Sequence, residues 1–68
     1  MPFVNLKTTT TNLTRETKAQ VVREFSETLV RVLGKKPESI HIVIDVVEDE
    51  NWGHAGSLVA DTRNLARD

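Results

Sequence analysis

Few residues in this sequence are able to do chemistry, and they are spread along the chain. Met1 precedes Pro2, so removal of the initiator methionine would expose a secondary amine, which is basic, rigid and able to exchange protons. Taken alone, Pro2 is more simply interpreted as the start of an edge strand, where proline is tolerated. The two histidines, His41 and His54, lie far apart and lack the close pairing with thiolates or carboxylates of a zinc site. We therefore predict no metal and no cofactor.

The length of the chain limits the core that it can build. We interpret residues 1–68 as one domain, and a domain of this size buries only about 60% of the surface of its unfolded chain. Folds this small rely on disulfides, a structural metal or partner subunits. The sequence has no cysteine, and no metal site is predicted. Oligomerisation remains, and we expect a homo-oligomer.

Charge and hydropathy exclude several classes of protein. Nine basic and ten acidic residues give a net charge of −1 and are interspersed, without the basic patch of a nucleic-acid-binding protein. The longest apolar run, Ile42-Val43-Ile44, is far below the roughly 20 residues of a membrane span. No charged and then apolar signal segment opens the chain. We predict a soluble, cytoplasmic protein, and the lack of cysteine fits a reducing compartment.

A strand and a helix are predicted in the first half of the chain. Residues Pro2–Thr8 alternate, with Val4 and Leu6 on one face. Residues Thr8–Asn12 are polar and predict a loop. Thr14 is typical of a helix N-cap, with acidic Glu16 favourably placed against the helix dipole. A single apolar stripe follows at helical spacing, and its members are Val21, Val22, Phe25, Leu29, Val32 and Leu33.

The helix is predicted to end at Gly34, since glycine adopts the left-handed conformation and Pro37 prevents continuation. A second alternating segment, Ser39–Val47, predicts another strand. A strand, a helix and a strand form a βαβ unit with parallel strands and a right-handed crossover. The helix covers one sheet face only. The other face would leave an apolar surface on a lone monomer, and its apolar members are Phe3, Val43 and Val47.

The C-terminal third carries turn signals. Residues 48–51 are predicted to form a charged turn, and residues 52–56, which include two glycines, a turn or a short hairpin. The tail, Ser57–Asp68, is polar with scattered apolar residues, and we predict a short arm that reaches a neighbouring subunit. The fold class is therefore α/β (α+β), a single βαβ unit with a short C-terminal hairpin and a sheet completed by oligomerisation.

Four segments, in this order and spacing, carry a family resemblance. They are Met1-Pro2-Phe3-Val4, Thr14-Arg15-Glu16-Thr17-Lys18, Ser39-Ile40-His41-Ile42 and Trp52-Gly53-His54-Ala55-Gly56. Over nearly its whole length the chain resembles the 4-oxalocrotonate tautomerase family. The resemblance implies that Pro2, freed of Met1, is the catalytic residue of a keto–enol isomerase. Together with the small core and the apolar second sheet face, it predicts a hexamer built as a trimer of dimers.

The mechanism implied by the resemblance depends on the protonation state of Pro2. An α-amino group has a reference pKa of about 7.7–8.0 and a prolyl amine is more basic, but an apolar pocket disfavours the charged form. A neutral Pro2 would act as general base, taking a proton from a dienol hydroxyl or from a carbon next to a carbonyl and returning it to another carbon. The expected substrate is an enol or a 2-oxo acid.

Substrate-binding residues follow from the same resemblance. Trp52 stands where the family places a pocket aromatic, usually phenylalanine, although the only tryptophan equally suits a subunit contact. The family's substrate-binding arginines are absent, and one of their positions matches His41. Its imidazole either binds an anion when protonated, donates one neutral hydrogen bond, or is a structural residue. Lys7 and Arg15 are candidate substitutes or simply solvated cations, and a partner chain of another type is a further source of arginine.

Two other functions stay open. In a hydratase or dehalogenase of the same family, a charged Pro2 acts as acid while a carboxylate activates water. Some such relatives carry that carboxylate two residues beyond the pocket aromatic, where this chain has His54, and Asp45 is the substitute on the face of His41. The remaining alternative is a non-catalytic oligomeric binding protein of the same fold.

Overall fold

The computed structural model of the chain describes residues 1–10 and 13–66, with side chains described as far as residue 62. Two strands, β1 (Phe3–Thr8) and β2 (His41–Val46), flank the long helix α1 (Arg15–Leu33). A short hairpin of β3 (Gly53–His54) and β4 (Ser57–Leu58) follows, and α2 (Val59–Ala66) ends the described chain. Turns of 3₁₀ helix at Pro37–Ser39 and Asp49–Asn51 precede β2 and the hairpin.

The two long strands pair in parallel, as the βαβ prediction requires. Phe3 lies opposite His41, and the register continues to Thr8 opposite Val46. Residues of β1 alternate between exposed and half-buried, because successive side chains point to opposite sheet faces. One face carries the half-buried apolar side chains under the helix crossover, and they are Val4, Leu6, Ile42 and Ile44. The predicted parallel pairing is confirmed, and so are the predicted faces as far as Ile44. The second strand is shorter than the predicted Ser39–Val47, because Ser39 belongs to a 3₁₀ turn, and at its end Val46 is exposed whereas Val47 is half-buried.

Helix α1 begins and ends at the predicted residues. The Thr14 hydroxyl accepts a hydrogen bond from the Thr17 backbone N–H at 3.1 Å, and the Thr17 hydroxyl accepts one from the Thr14 N–H at 2.9 Å. This reciprocal capping box satisfies two amides near the helix start. Gly34 ends the helix with φ 67° and ψ 26°, and its N–H donates to carbonyls of the last turn.

The single chain has no hydrophobic core among its described residues, because none of their side chains is buried. On the sheet face away from the helix, Phe3 is 63% and Val43 is 44% exposed, whereas Val47 is half-buried. The radius of gyration is 15.4 Å, against about 11 Å for a compact domain of this length. The chain therefore leaves much of its apolar surface without intramolecular contacts.

The C-terminal third confirms the hairpin and adds a helix that the sequence analysis did not predict. Ala55 (φ 54°) and Gly56 (φ 82°) both have positive φ, which is typical of the two-residue turns that join twisted strands. Beyond the hairpin, the Val59 N–H donates to the Trp52 carbonyl at 2.8 Å, where α2 begins. This nonlocal contact is invisible to periodicity in a polar tail. In the predicted Thr8–Asn12 loop, residues 11 and 12 lie outside the described residues.

None of the described helices is both long enough and apolar enough to cross a bilayer.

Replacement of Thr14 by alanine tests the capping box. The variant loses the hydroxyl that accepts the Thr17 N–H, so we expect the free energy of unfolding to fall by about 1 kcal/mol per chain. Urea denaturation at one fixed protein concentration measures this value, because association makes apparent stability concentration-dependent. Thr14→Ser keeps a hydroxyl and should retain most of the wild-type stability; equal losses in both variants would contradict the role of the cap.

Candidate active site

Pro2 is held against the start of the second strand by a backbone hydrogen bond. The His41 N–H donates to the Pro2 carbonyl at 3.1 Å, and Phe3, the next residue, lies directly opposite His41. Pro2 is half-buried, whereas the attached Met1 is 91% exposed. The terminus is therefore accessible to a processing enzyme, and the ring that would carry the amine lies at a defined position on the sheet.

The imidazole of His41 is exposed on the same sheet face as Phe3. Residues that are directly opposite in neighbouring strands point to the same face, and the register pairs these two. An exposed imidazole is able to donate one hydrogen bond to a bound group. The structure joins the backbones of Pro2 and His41, whereas the His41 side chain lies on the face of Phe3, because successive side chains of a strand point to opposite faces.

Lys7 is engaged elsewhere on this sheet face. Its ammonium group donates to the Asp45 carboxylate at 2.7 Å, and the two side chains are 61% and 45% exposed. Lys7 lies five positions along the chain from Pro2, or about 16 Å along an extended strand. Within one chain, the structure does not bring Lys7 to Pro2. The ion pair was not predicted, because the sequence does not specify which residues of the two strands stand opposite each other.

Arg15 is the first residue of α1 and is exposed. No hydrogen bond or ion pair that the structure describes joins Arg15 to Pro2 or His41. Its guanidinium group is charged at all physiological pH values. The structure therefore leaves Arg15 as a solvated cation near the start of the helix, and its predicted contact with substrate stays a prediction.

Trp52 is half-buried between the second 3₁₀ turn and the hairpin. Its backbone N–H donates to the Asp49 carbonyl at 3.4 Å, and its carbonyl accepts from the Val59 backbone N–H. The residue follows the carboxyl end of β2, whereas Pro2 precedes the amino end of the parallel β1. A six-residue strand is about 17–20 Å long. The backbone of Trp52 is thus connected to the end of the sheet opposite Pro2.

Two concave regions of the described surface lie along α1. One is lined by Thr17, Gln20, Val21, Glu24 and Phe25. The other is lined by Arg23, Ser26, Glu27, Val30, Arg31 and Pro37. Neither region includes a predicted site residue. These grooves follow the ridges of α1, so the chemistry of Pro2 and His41 is the better guide to the site.

Comparison with known proteins settles the family. The family model described as "Tautomerase enzyme" matches residues 2–62. The chain belongs to the tautomerase family. It is 41% identical over 66 residues to "Probable tautomerase K2" of Dickeya dadantii, covering 97% of this chain and 98% of that protein. It is 39% identical over 61 residues to a "Probable tautomerase" of Helicobacter pylori strain 26695, covering 87% and 90%.

Solved structures of tautomerase relatives share the fold. The crystal structure of DmpI from Helicobacter pylori has a TM-score of 0.85 at 35% identity and covers 93% of this chain and 97% of that one. A 4-oxalocrotonate tautomerase isozyme from Methylibium petroleiphilum has a TM-score of 0.88 at 25% identity and covers 94% and 98%. The βαβ unit with its C-terminal hairpin is therefore the tautomerase fold, and the chain is a tautomerase-type enzyme, an isomerase.

Proposed function

We propose that this tautomerase interconverts enol and keto forms of 2-oxo acids, with the Pro2 amine, freed by removal of Met1, as general base. The observation that carries the proposal is the hydrogen bond from the His41 N–H to the Pro2 carbonyl at 3.1 Å. It holds the second residue of the chain on the sheet, against the backbone of His41, the predicted anion-binding residue. A terminal residue without such a bond would be poorly ordered.

The proposed reaction is a proton transfer between two atoms of one substrate. In ketonisation, neutral Pro2 takes a proton from the enol hydroxyl and the resulting ammonium returns it to the carbon next to the carbonyl; in the reverse direction it takes the proton from that carbon and returns it to the carbonyl oxygen. The amine is therefore regenerated in each turnover. Apolar surroundings lower the pKa of the Pro2 amine because they disfavour its charged form, and the neutral base is then available near neutral pH.

Recognition of the substrate is proposed to rest on His41. A bidentate arginine grips a carboxylate through two charge-assisted hydrogen bonds, whereas an imidazole offers one contact from each nitrogen. The site is therefore suited to a monocarboxylate better than to a dicarboxylate. Lys7 and Arg15 remain proposed secondary contacts; of the two, Arg15 is the more available, because the Lys7 ammonium is bound to Asp45.

The active protein is proposed to be a homo-oligomer, a hexamer built as a trimer of dimers. The exposed Phe3 and Val43 form an apolar surface that a second copy would cover. Trp52 and Pro2 are connected to opposite ends of the sheet, so a pocket containing both is most simply assembled from two chains. A relative from Chloroflexus aurantiacus with the same fold (TM-score 0.81, 18% identity, covering 90% of this chain and 97% of that one) is a heterohexamer.

A cytoplasmic location is part of the proposal and rests on the cysteine-free composition.

The hydratase or dehalogenase alternative is less well supported by the geometry. It needs a carboxylate that activates water near Pro2. The Asp45 carboxylate accepts from Lys7 at 2.7 Å and lies four residues along β2 from His41, or about 13 Å. The non-catalytic alternative differs at the terminus: a native protein that retains Met1 has no free prolyl amine, and intact-mass measurement detects this directly.

Assembly is the first test of this proposal. We expect sedimentation velocity at micromolar concentration to show a species larger than the monomer, because the single chain buries too little apolar surface to be stable alone. Val43→Asp would place a charge on the apolar sheet face and should dissociate the oligomer, whereas Val43→Ile keeps the surface apolar and should not. A folded wild-type monomer at this concentration contradicts the proposal.

Catalysis by Pro2 is tested with the processed protein. We expect it to accelerate ketonisation of the enol of phenylpyruvate, and Pro2→Ala to lower kcat/KM by about 10²–10⁴-fold, the usual contribution of a general base. Dicarboxylate dienols should have lower kcat/KM values than this monocarboxylate. A strong preference for the dicarboxylate would show that another cation, such as Arg15, binds the second carboxylate.

The proposed role of Trp52 is tested by Trp52→Ala. If the indole excludes water from the amine, the variant should have lower activity and a higher apparent pKa of Pro2, because a better solvated amine retains its charge more easily. The pH dependence of kcat/KM and NMR titration of labelled Pro2 measure this pKa, and Trp52→Phe is the control that keeps an aromatic ring. An unchanged pKa in an intact Trp52→Ala oligomer would remove Trp52 from the site, whereas a structural tryptophan would lower stability by a few kcal/mol.

A further inference from the structure

The Lys7–Asp45 ion pair joins the two strands that form the candidate site. The two residues are directly opposite in the parallel register, and the Lys7 Nζ atom lies 2.7 Å from the Asp45 Oδ2 atom. Both side chains are on the face that carries Phe3 and His41, a pair that lies four positions earlier in the register. The proposed proton transfer uses neither residue, so the position of the pair in the register calls for another explanation.

The apolar pattern of the strands does not determine their register completely. A slip of one residue would turn the apolar set to the wrong face and is excluded. A slip of two residues keeps every side chain on its face, because the side chains of a strand alternate with a period of two residues. It also keeps apolar residues opposite each other, because β2 is apolar at alternate positions. Val4 lies opposite Ile42 in the structure, and after such a slip it would lie opposite Ile40 or Ile44.

The charged pair distinguishes these registers. In the observed register, Lys7 faces Asp45, and opposite charges at contact distance attract. A slip of two residues would place Lys7 opposite Val43 or Val47 and leave both charges without the partner that they now have. The observed register is the one of the three in which the two charges meet.

The register also decides which residue of β2 lies beside Pro2. His41 now donates its N–H to the Pro2 carbonyl, and a slip of two residues would bring Ser39 or Val43 to that place. We propose that Lys7 and Asp45 are a positioning pair, which selects the strand register in which the His41 N–H donates to the Pro2 carbonyl. The proposal rests on the function proposed above only in its kinetic consequence; the register itself is a structural property.

The test compares single variants with the exchanged pair. Lys7→Met and Asp45→Asn should lower kcat/KM for the enol by up to about fivefold, since an exposed ion pair biases the register only modestly. The double variant Lys7→Asp with Asp45→Lys restores the attraction and should recover most of the lost activity. Glu24→Gln, which removes an exposed charge from the Gln20–Glu24 pair on α1, is the matched control and should keep the wild-type kcat/KM.

A second readout measures the strand register directly, without an activity measurement. Interstrand nuclear Overhauser effects between Phe3 and His41 should be present in the wild type and in the exchanged variant, and weaker or replaced in the single variants. Single variants that retain these contacts and the wild-type kcat/KM would overturn the proposal. So would an exchanged variant with its register intact but no recovery of kcat/KM, as expected if Lys7 itself contacts the substrate.

The two proposals fail in distinguishable ways. If the processed wild type is inactive, the proposed function is wrong, and the nuclear Overhauser effects between Phe3 and His41 still test whether Lys7 and Asp45 select the register. If the single variants do not fold, the exchanged variant decides: wild-type contacts between Phe3 and His41 support the pair, and their loss overturns it.

Discussion

The shortage of buried apolar surface is the constraint on which this structure depends. A chain of 68 residues whose long helix α1 accompanies a sheet of only two long strands cannot enclose its own side chains, and none of those described is buried. The open sheet face and several residues of α1 therefore keep apolar surface in contact with water. Because burial of such surface is the main favourable term in folding and association, folding and subunit contact are expected to be coupled in this protein.

The candidate site also depends on few structural elements. One parallel strand pair both holds Pro2 and positions His41, so the register of the two strands determines how these two residues are placed relative to each other. The residues proposed to exclude water and to bind a second charged group lie elsewhere in the single chain. A site divided in this way would be active only when assembled, which links the proposed chemistry to the apolar surface that the chain leaves open.

Substitution of the family's arginines changes what recognition can achieve. His41 offers one hydrogen bond or a charge that depends on pH, and Lys7 is already bound to Asp45. These features narrow the proposed substrates without changing the proposed proton transfer, because the proposed base is a main-chain amine. Members of one fold family commonly retain the reactive group while the surrounding contacts change.

Local signals in the sequence were enough to predict the strands, α1, its caps and the hairpin. The cap at Thr14 and the stop at Gly34 depend on hydrogen bonds between residues a few positions apart. The alternation in the strands reflects which sheet face is exposed to water. The tertiary structure alone revealed α2, the half-buried state of Val47 and the pairing of Lys7 with Asp45. Each of these depends on contacts between residues far apart in the chain. The place of His41 beside Pro2 also required the structure, since alternating apolar residues specify the faces of two strands but not which residues stand opposite each other.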